Sequence, residues 1–232
     1  MNRQTTNTIL MIRPVQFRMN EQTAVNNYYQ KILGDLSPSA INIRAVNEFN
    51  AFVDKLRAVG IQIIVMNDTQ EFDTPDSIFP NNWISFHNNG SIALYPMFAK
   101  NRRLERKESI LEGVEKKGFL INSVLDYTNA EADSVFLEGT GSVILDRINR
   151  KAYCALSPRA DEGLFIEFCE DFDYFPIIFS AYQTVLGVRK KIYHTNVMMC
   201  IGSGWATVCL DSLDHPEDAE LLNSSLEDDG LE

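Results

Sequence analysis

The sequence predicts an α/β fold built by repeating one unit: strand, tight turn, strand, helix, strand. Three observations predict it. A polar cluster recurs at the start of successive units, as Phe-Pro-Asn-Asn at 79–82, Leu-Glu-Gly-Thr-Gly at 137–141 and His-Thr-Asn at 194–196. The spacing is even, with Asn82, Glu138 and His194 each 56 residues from the next. Behind each cluster the hydrophobic pattern runs through the same order of elements. Repeats of this period stack or close into rings, which brings corresponding ends of successive units together. An Asn, a Glu and a His delivered to one place read as an active site.

Residues 7–12 are an apolar run ending at Arg13-Pro14 and read as a strand. Residues 21–33 suit a helix stopped by Gly34. A clearer helix covers 45–59, where Phe49, Phe52, Val53, Leu56 and Val59 share one face ahead of Gly60. Residues 61–66 follow as a buried strand, and strand, helix, strand with short joins makes an α/β unit. The second unit opens with strands at 83–86 and 91–95 around Asn88-Asn89-Gly90, a strong hairpin turn. A basic helix at 101–117, with Ile110, Leu111 and Val114 inward, leads to a strand at 119–125. The third unit has strands at 143–146 and 151–156, a helix at 160–171 and a strand at 174–181. The fourth has strands at 197–201 and 206–210 around Gly202-Ser203-Gly204, then a helix at 216–226 whose first turn is marked by His215-Pro216.

In this pattern the fourth unit has no closing strand, and the first lacks the opening strand of its hairpin. The sequence therefore reads as one incomplete domain over residues 1–232, truncated at its C-terminus, with unpaired strand edges where the missing piece would sit. A homo-oligomer is compatible with such edges. The other reading is a natural open fold ending in the acidic tail 226–232.

Composition narrows the function. With 232 residues, 45% of them hydrophobic, the chain can bury the core of one large domain. A net charge of −11 argues against non-specific binding to nucleic acid or to anionic membranes and leaves a small metabolite as the ligand. No stretch reaches the ~20 apolar residues of a membrane span. The first six residues carry no apolar secretory core, so the expected location is the cytoplasm. Cys154, Cys169, Cys200 and Cys209 form no Cys-x-x-Cys pair, and with three His residues a zinc site is not expected. Each cysteine reads as a buried free thiol.

Each polar residue in the clusters has a functional and a structural reading. Glu138 precedes Gly139-Thr140-Gly141, where a sharp bend lets a substrate approach a carboxylate that accepts its N–H groups. Alternatively it is an exposed turn residue. His194 stands at a strand entrance and can shuttle protons near neutral pH, or be a hydrogen-bonded structural histidine. His87 and His215, at a hairpin and a helix start, take the structural reading. Asn82 and Asn196 each precede a strand, and two amides could grip a planar group through donors and acceptors together. Their alternative is turn chemistry. Arg159, Arg102 and Arg103 could fork onto the carboxylate of an amino acid, or lie solvated at the surface.

These residues resemble the guanidine-modifying enzyme superfamily, the pentein or α/β-propeller fold. The run from Asp73 to Trp83 is similar to its first substrate-binding motif, 136–142 to its acidic-Gly motif, and His194-Thr195-Asn196 to its His-x-Asp motif. With Leu156-Ser157-Pro158-Arg159 they cover about 73–200 in the family's order. The whole chain most resembles the citrulline-hydrolysing branch. The resemblance implies units around a pseudo-fivefold axis and covalent chemistry without metal or organic cofactor, in which a Cys thiolate attacks the substrate carbon, ammonia leaves, and a His-activated water releases the product. It implies that Glu138 holds substrate N–H groups, that His194 is the general acid/base, and that Asn82 and Asn196 are the gripping positions.

Two departures qualify it. Arginine-acting relatives carry Asp where this chain has Asn82 and Asn196, which suits a cationic guanidinium. The ureido group of citrulline is neutral and would leave two buried carboxylates without a partner, whereas Asn matches its C=O and NH2. The second departure is the nucleophile, which the family keeps in a Gly-rich C-terminal segment without counterpart in these residues. The expectation is a pocket without its attacking group, and a 232-residue chain that does not turn over substrate. The rival enzyme readings are an arginine deiminase, a dimethylarginine hydrolase or an amidinotransferase. The rival of another class is a non-catalytic amino-acid-binding module.

Overall fold

A computed structural model describes residues 3–31 and 34–232. The chain packs as two compact units, one of residues 6–92 and 99–125, the other of residues 3–5, 93–98 and 126–232.

The first unit holds β1 (Thr8–Arg13), α1 (Glu21–Ala24), α2 (Pro38–Ala58), β2 (Gln62–Asn67), β3 (Ile84–Phe86), β4 (Ser91–Leu94), α3 (Lys100–Arg103), α4 (Glu108–Glu115) and β5 (Ser123–Asp126). The strands β1 and β2 are parallel, in register from Thr8↔Gln62 to Arg13↔Asn67. Such pairing needs a crossover helix, which α2 supplies. Phe49 and Val53 of α2 pack with Ile63 of β2, and Ile9, Met11 and Leu56 flank them. β3, β4 and β5 form a three-stranded sheet in that order, and β4 and β5 run out of this unit at their C-terminal ends.

Four expectations change here. The helix expected over 21–33 ends at Ala24, because the Asn27 side chain accepts the Tyr29 N–H and a local turn replaces the next helical turn. Residues 32 and 33 of that expectation lie outside the described residues. α2 starts at Pro38 rather than at 45: Ser37 caps it by accepting the Ala40 N–H, and Pro38 fits the first turn. Phe52 and Val59 of its supposed apolar face are exposed, so the buried stripe is narrower. The basic helix splits into α3 and α4, because Lys107 takes an extended backbone and places its Nζ 2.6 Å from Asp68, just after β2.

The second unit holds α5 (Gly139–Ser142), β6 (Val143–Asp146), β7 (Lys151–Ala155), α6 (Glu162–Phe172), β8 (Phe175–Phe179), β9 (Tyr182–Val185), β10 (Val188–Lys191), β11 (Met199–Ile201), β12 (Ala206–Val208) and α7 (Pro216–Glu227). β6 pairs antiparallel with β7, and β7 parallel with β8. Asp161 caps α6 by accepting the Leu164 N–H, and Asp173, at positive φ, ends it. The order strand, strand, helix, strand of β3 to β5 thus recurs in β6 to β8, and β11, β12 and α7 repeat its first three parts. Tyr153, Ile177, Phe179, Met198, Leu222 and Leu226 belong to one core.

Sequence reasoning missed the hairpin of β9 and β10. Its two-residue turn is Leu186-Gly187, both at positive φ, where Asn-Gly or Asp-Gly is the usual signal. Cys154 and Cys169 are buried free thiols, as expected, but Cys200 and Cys209 are exposed. Strand alternation gives the reason for Cys200: its neighbour Met199 takes the buried face of β11.

Candidate active site

In the second unit, Glu138 is fully buried just before α5. Gly139 takes φ +44, a conformation that lets the chain turn sharply away after the carboxylate. The Glu138 N–H donates to the Arg159 carbonyl at 3.0 Å, and the Ser142 hydroxyl donates to the same oxygen at 2.9 Å. The Arg159 segment is therefore tied to both ends of α5.

Both oxygens of the Glu138 carboxylate meet donors. Oε1 accepts the Phe98 N–H at 3.0 Å. Oε2 lies 2.6 Å from His194 Nε2 and 3.3 Å from Arg159 Nη1. A carboxylate only accepts, so His194 carries its proton on Nε2, and a neutral ring keeps its lone pair on Nδ1 as the basic site. The Arg159 guanidinium is also buried, 4.9 Å from the Tyr193 ring centre and 5.7 Å from that of Phe98. Its charge offsets that of Glu138 where water cannot. Arg159 is thus engaged by the carboxylate rather than lying at the surface.

Thr195 follows His194 into the interior, donating to the Ser142 carbonyl and accepting the Ala155 N–H at 2.9 Å. The turn at Thr195–Val197 is a 3-10 turn, in which successive side chains point about 120° apart. Asn196 consequently faces outward: it is exposed, and its side chain makes no hydrogen bond among the described residues.

In the first unit, Asn82 ends a 3-10 turn at Pro80–Asn82 and is buried. Its Oδ1 accepts from Arg102 Nη1 at 2.7 Å. Arg102 is buried too, forked onto Glu105 through Nε and Nη2 at 2.9 Å each, and Nη2 also donates to the Phe79 carbonyl at 3.0 Å. Arg103 is half-buried. The sequence reading missed Glu105, although its spacing of three from Arg102 is the signal for a pair on one helical face. His87 is buried with Nε2 2.9 Å from the Ser85 hydroxyl, in keeping with its structural reading. A cleft of about 500 Å³ in the second unit is lined by Ser134, Phe136, Ser157, Pro158, Asp161 and Lys191, and neither Glu138 nor His194 reaches it.

Burial pushes the Cys154 thiol far up, the neighbouring Cys169 adds to this, and a hydrogen bond with Thr195 only partly opposes it. Burial also pushes the Cys169 thiol up, to about 12. Neither is a thiolate at neutral pH.

The repeated strand, strand, helix, strand architecture and the buried Glu–His pair accord with the guanidine-modifying, pentein-fold superfamily, to which the family match assigns the chain. Within it, the chain belongs to the family described as N,N dimethylarginine dimethylhydrolase, eukaryotic, whose model matches residues 13–232. No curated protein matches the chain. Among solved structures it is similar to the N-terminal domain of ArgZ covalently bound to a reaction intermediate, with TM-score 0.72 and 15% identity over 97% of this chain and 74% of that one. Apo ArgZ, an arginine dihydrolase from the ornithine-ammonia cycle in cyanobacteria, matches with TM-score 0.64 and 15% identity over 94% of this chain and 28% of that one. DDAH from Pseudomonas aeruginosa, a variant complexed with citrulline, matches with TM-score 0.63 and 16% identity over 92% of this chain and 73% of that one.

Proposed function

We propose that this protein is a hydrolase of a non-peptide C–N bond in a ureido or guanidino amino acid, with citrulline as its substrate and His194 and Glu138 as its acid–base pair. The observation that carries the reading is the 2.6 Å contact of His194 Nε2 with a fully buried carboxylate that Arg159 neutralises. Such a pair holds the ring in one tautomer and stabilises the imidazolium when Nδ1 takes up a proton. The family match and the arginine- and citrulline-binding structural relatives support the substrate class. By the resemblance, Asn rather than Asp at position 82 supports the neutral ureido group, whereas the exposed Asn196 adds nothing to it.

In this reading a Cys thiolate adds to the ureido carbon and the C–NH2 bond breaks, with ammonia leaving on a proton delivered by His194. Water, deprotonated by the same imidazole, then cleaves the acyl–sulfur bond and restores the thiolate. The released carbamate falls to ornithine and carbon dioxide. We assign the attacking thiol to none of the four cysteines here: Cys154 and Cys169 are buried and protonated, and Cys200 and Cys209 lie off the motif positions. Arg159 acts in this scheme by holding Glu138, not by binding the substrate carboxylate.

The test is a substrate panel on the native protein from its source, with ornithine, citrulline, ammonia and dimethylamine measured. Ornithine formed from citrulline at least tenfold faster than any guanidino compound is consumed is the expected result. Faster consumption of arginine or dimethylarginine would favour the guanidino reading, for which the family description speaks. Stable binding of citrulline without turnover would favour the binding module.

A further inference from the structure

His194 reaches Glu138 from a backbone that is pinned on both flanks. On one side the Ser157 hydroxyl donates to the Tyr193 carbonyl at 2.8 Å. On the other, Thr195 is fully buried, and its hydroxyl accepts the Ala155 N–H of β7 at 2.9 Å. The same hydroxyl donates to the carbonyl of Ser142, the last residue of α5, and the Cys154 thiol lies beside it. Ser142 is one helical turn from Glu138, whose carbonyl accepts the Ser142 N–H at 3.1 Å. The circuit closes through the side chains, since His194 Nε2 is 2.6 Å from Glu138 Oε2. His194 itself is extended, with φ −139 and ψ 141, so its side chain and that of Thr195 project to opposite sides of the chain. Thr195 therefore acts on the imidazole through the backbone.

We infer that Thr195 is a positioning residue for the acid–base pair: its hydroxyl ties the chain that carries His194 to the turn that carries Glu138, and so sets the distance at which the two meet. The inference rests on the proposed C–N hydrolase reading for its catalytic consequence and deepens it. All the groups it needs lie in the second unit. A hydroxyl suits the task because it serves a backbone donor and a backbone acceptor at once. Valine has nearly the same shape and neither function. It would leave a buried N–H and a buried C=O unpaired, which drives the 194–195 segment away from β7 and α5. A shift of about 1 Å in a reacting group can cost about 100-fold in rate. Serine keeps the hydroxyl and removes only the methyl group.

The experiment follows the His194 Nε2–H proton by 1H–15N NMR of the natural chain, assigned by its loss in His194→Gln. A proton held this close to a carboxylate should resonate far downfield and exchange slowly with solvent. Its absence from wild type would overturn the inference, because no fixed contact would then exist to hold. Thr195→Ser should keep the signal, with exchange within threefold of wild type. Thr195→Val, checked for folding by circular dichroism, should lose the downfield position and exchange at least tenfold faster. Thr195→Ala takes its place should the Val variant not fold. A folded Val or Ala variant with the wild-type signal would overturn the inference, because a merely structural role lowers the melting temperature and leaves the signal of folded molecules where it was. Loss of the signal in Thr195→Ser would overturn it too, by making the methyl group the cause. Kinetics with citrulline then read the consequence: kcat should fall at least tenfold in the Val variant, with KM within twofold. An unchanged kcat beside a lost signal would also count against the inference. Should wild type convert neither citrulline nor any guanidino compound, the hydrolase reading fails, while the Nε2–H signal still decides whether Thr195 holds the pair.

Discussion

At the scale of single residues, the site is governed by desolvated charge. Glu138→Gln would leave the Arg159 cation buried without its carboxylate. Breaking such a pair costs about 3–5 kcal/mol. Urea denaturation should show that loss, and a midpoint unchanged from wild type would mean that water or another group already serves Arg159. Asp68 behaves differently. Burial alone would raise its carboxyl, but Lys107 with the Thr69 N–H and Thr74 hydroxyl outweighs it and holds the group below its ordinary value. A depressed folded pKa gives stability that is present above the unfolded value, about 3.9, and lost as pH falls through the folded one. Asp68→Asn should therefore flatten the fall in stability on the acid side of about pH 4, compared by denaturation at pH 3 and pH 6. Thiol chemistry separates the cysteines: Cys200 and Cys209 should react with an aromatic disulfide reagent in the native protein, and Cys154 and Cys169 only after unfolding. Fast labelling of all four thiols would contradict the burial.

At the scale of elements, turns and caps decide where regular structure begins and ends. Gly90 sits at φ +81 between β3 and β4, and a Cβ there would lie 2.9 Å from the Leu120 carbonyl and closer still to the Asn122 side chain. The Asn122 N–H donates back to the Gly90 carbonyl, which ties this segment to the turn. Gly90→Ala should cost at least about 1 kcal/mol from the positive φ alone. A thermal melt unchanged by this substitution would show that the hairpin can adopt another turn. Element type was legible wherever Gly or Pro marked an end and the apolar period was long, as in β1, β2 and α7. Boundaries were misread where a tertiary contact intervened: nothing local indicates that Lys107 will reach Asp68 and break the basic helix. Leu186-Gly187 shows the opposite failure, a tight turn whose first residue carries no turn signal.

At the scale of the whole molecule, charge limits the partners. The net charge is −11, and the basic run from Lys100 to Lys107 is partly neutralised internally, since Arg102 pairs with Glu105 and Lys107 with Asp68. The protein should pass through a heparin column unretained at about 50 mM salt. Retention would reveal a local cationic surface and count against a small-molecule role. Two compact units carry the predicted site residues: Asn82, Arg102 and Arg103 in the first, Glu138, Arg159, His194 and Asn196 in the second.

By itself the sequence determined the repeat, the class of fold, and the 56-residue rhythm that singled out Asn82, Glu138 and His194. Local signals suffice for these, because turn residues, caps and hydrophobic period act over a few neighbours and recur with each unit. Only the tertiary structure decided which charges meet. Arg159 and Arg102 are both arginines beside polar motifs, and nothing within a few residues says that one will neutralise Glu138, 21 positions away, while the other fixes the amide of Asn82, 20 positions away. Burial turns such long-range pairings into chemistry, since a charge removed from water must be answered by whatever partner the fold brings within reach.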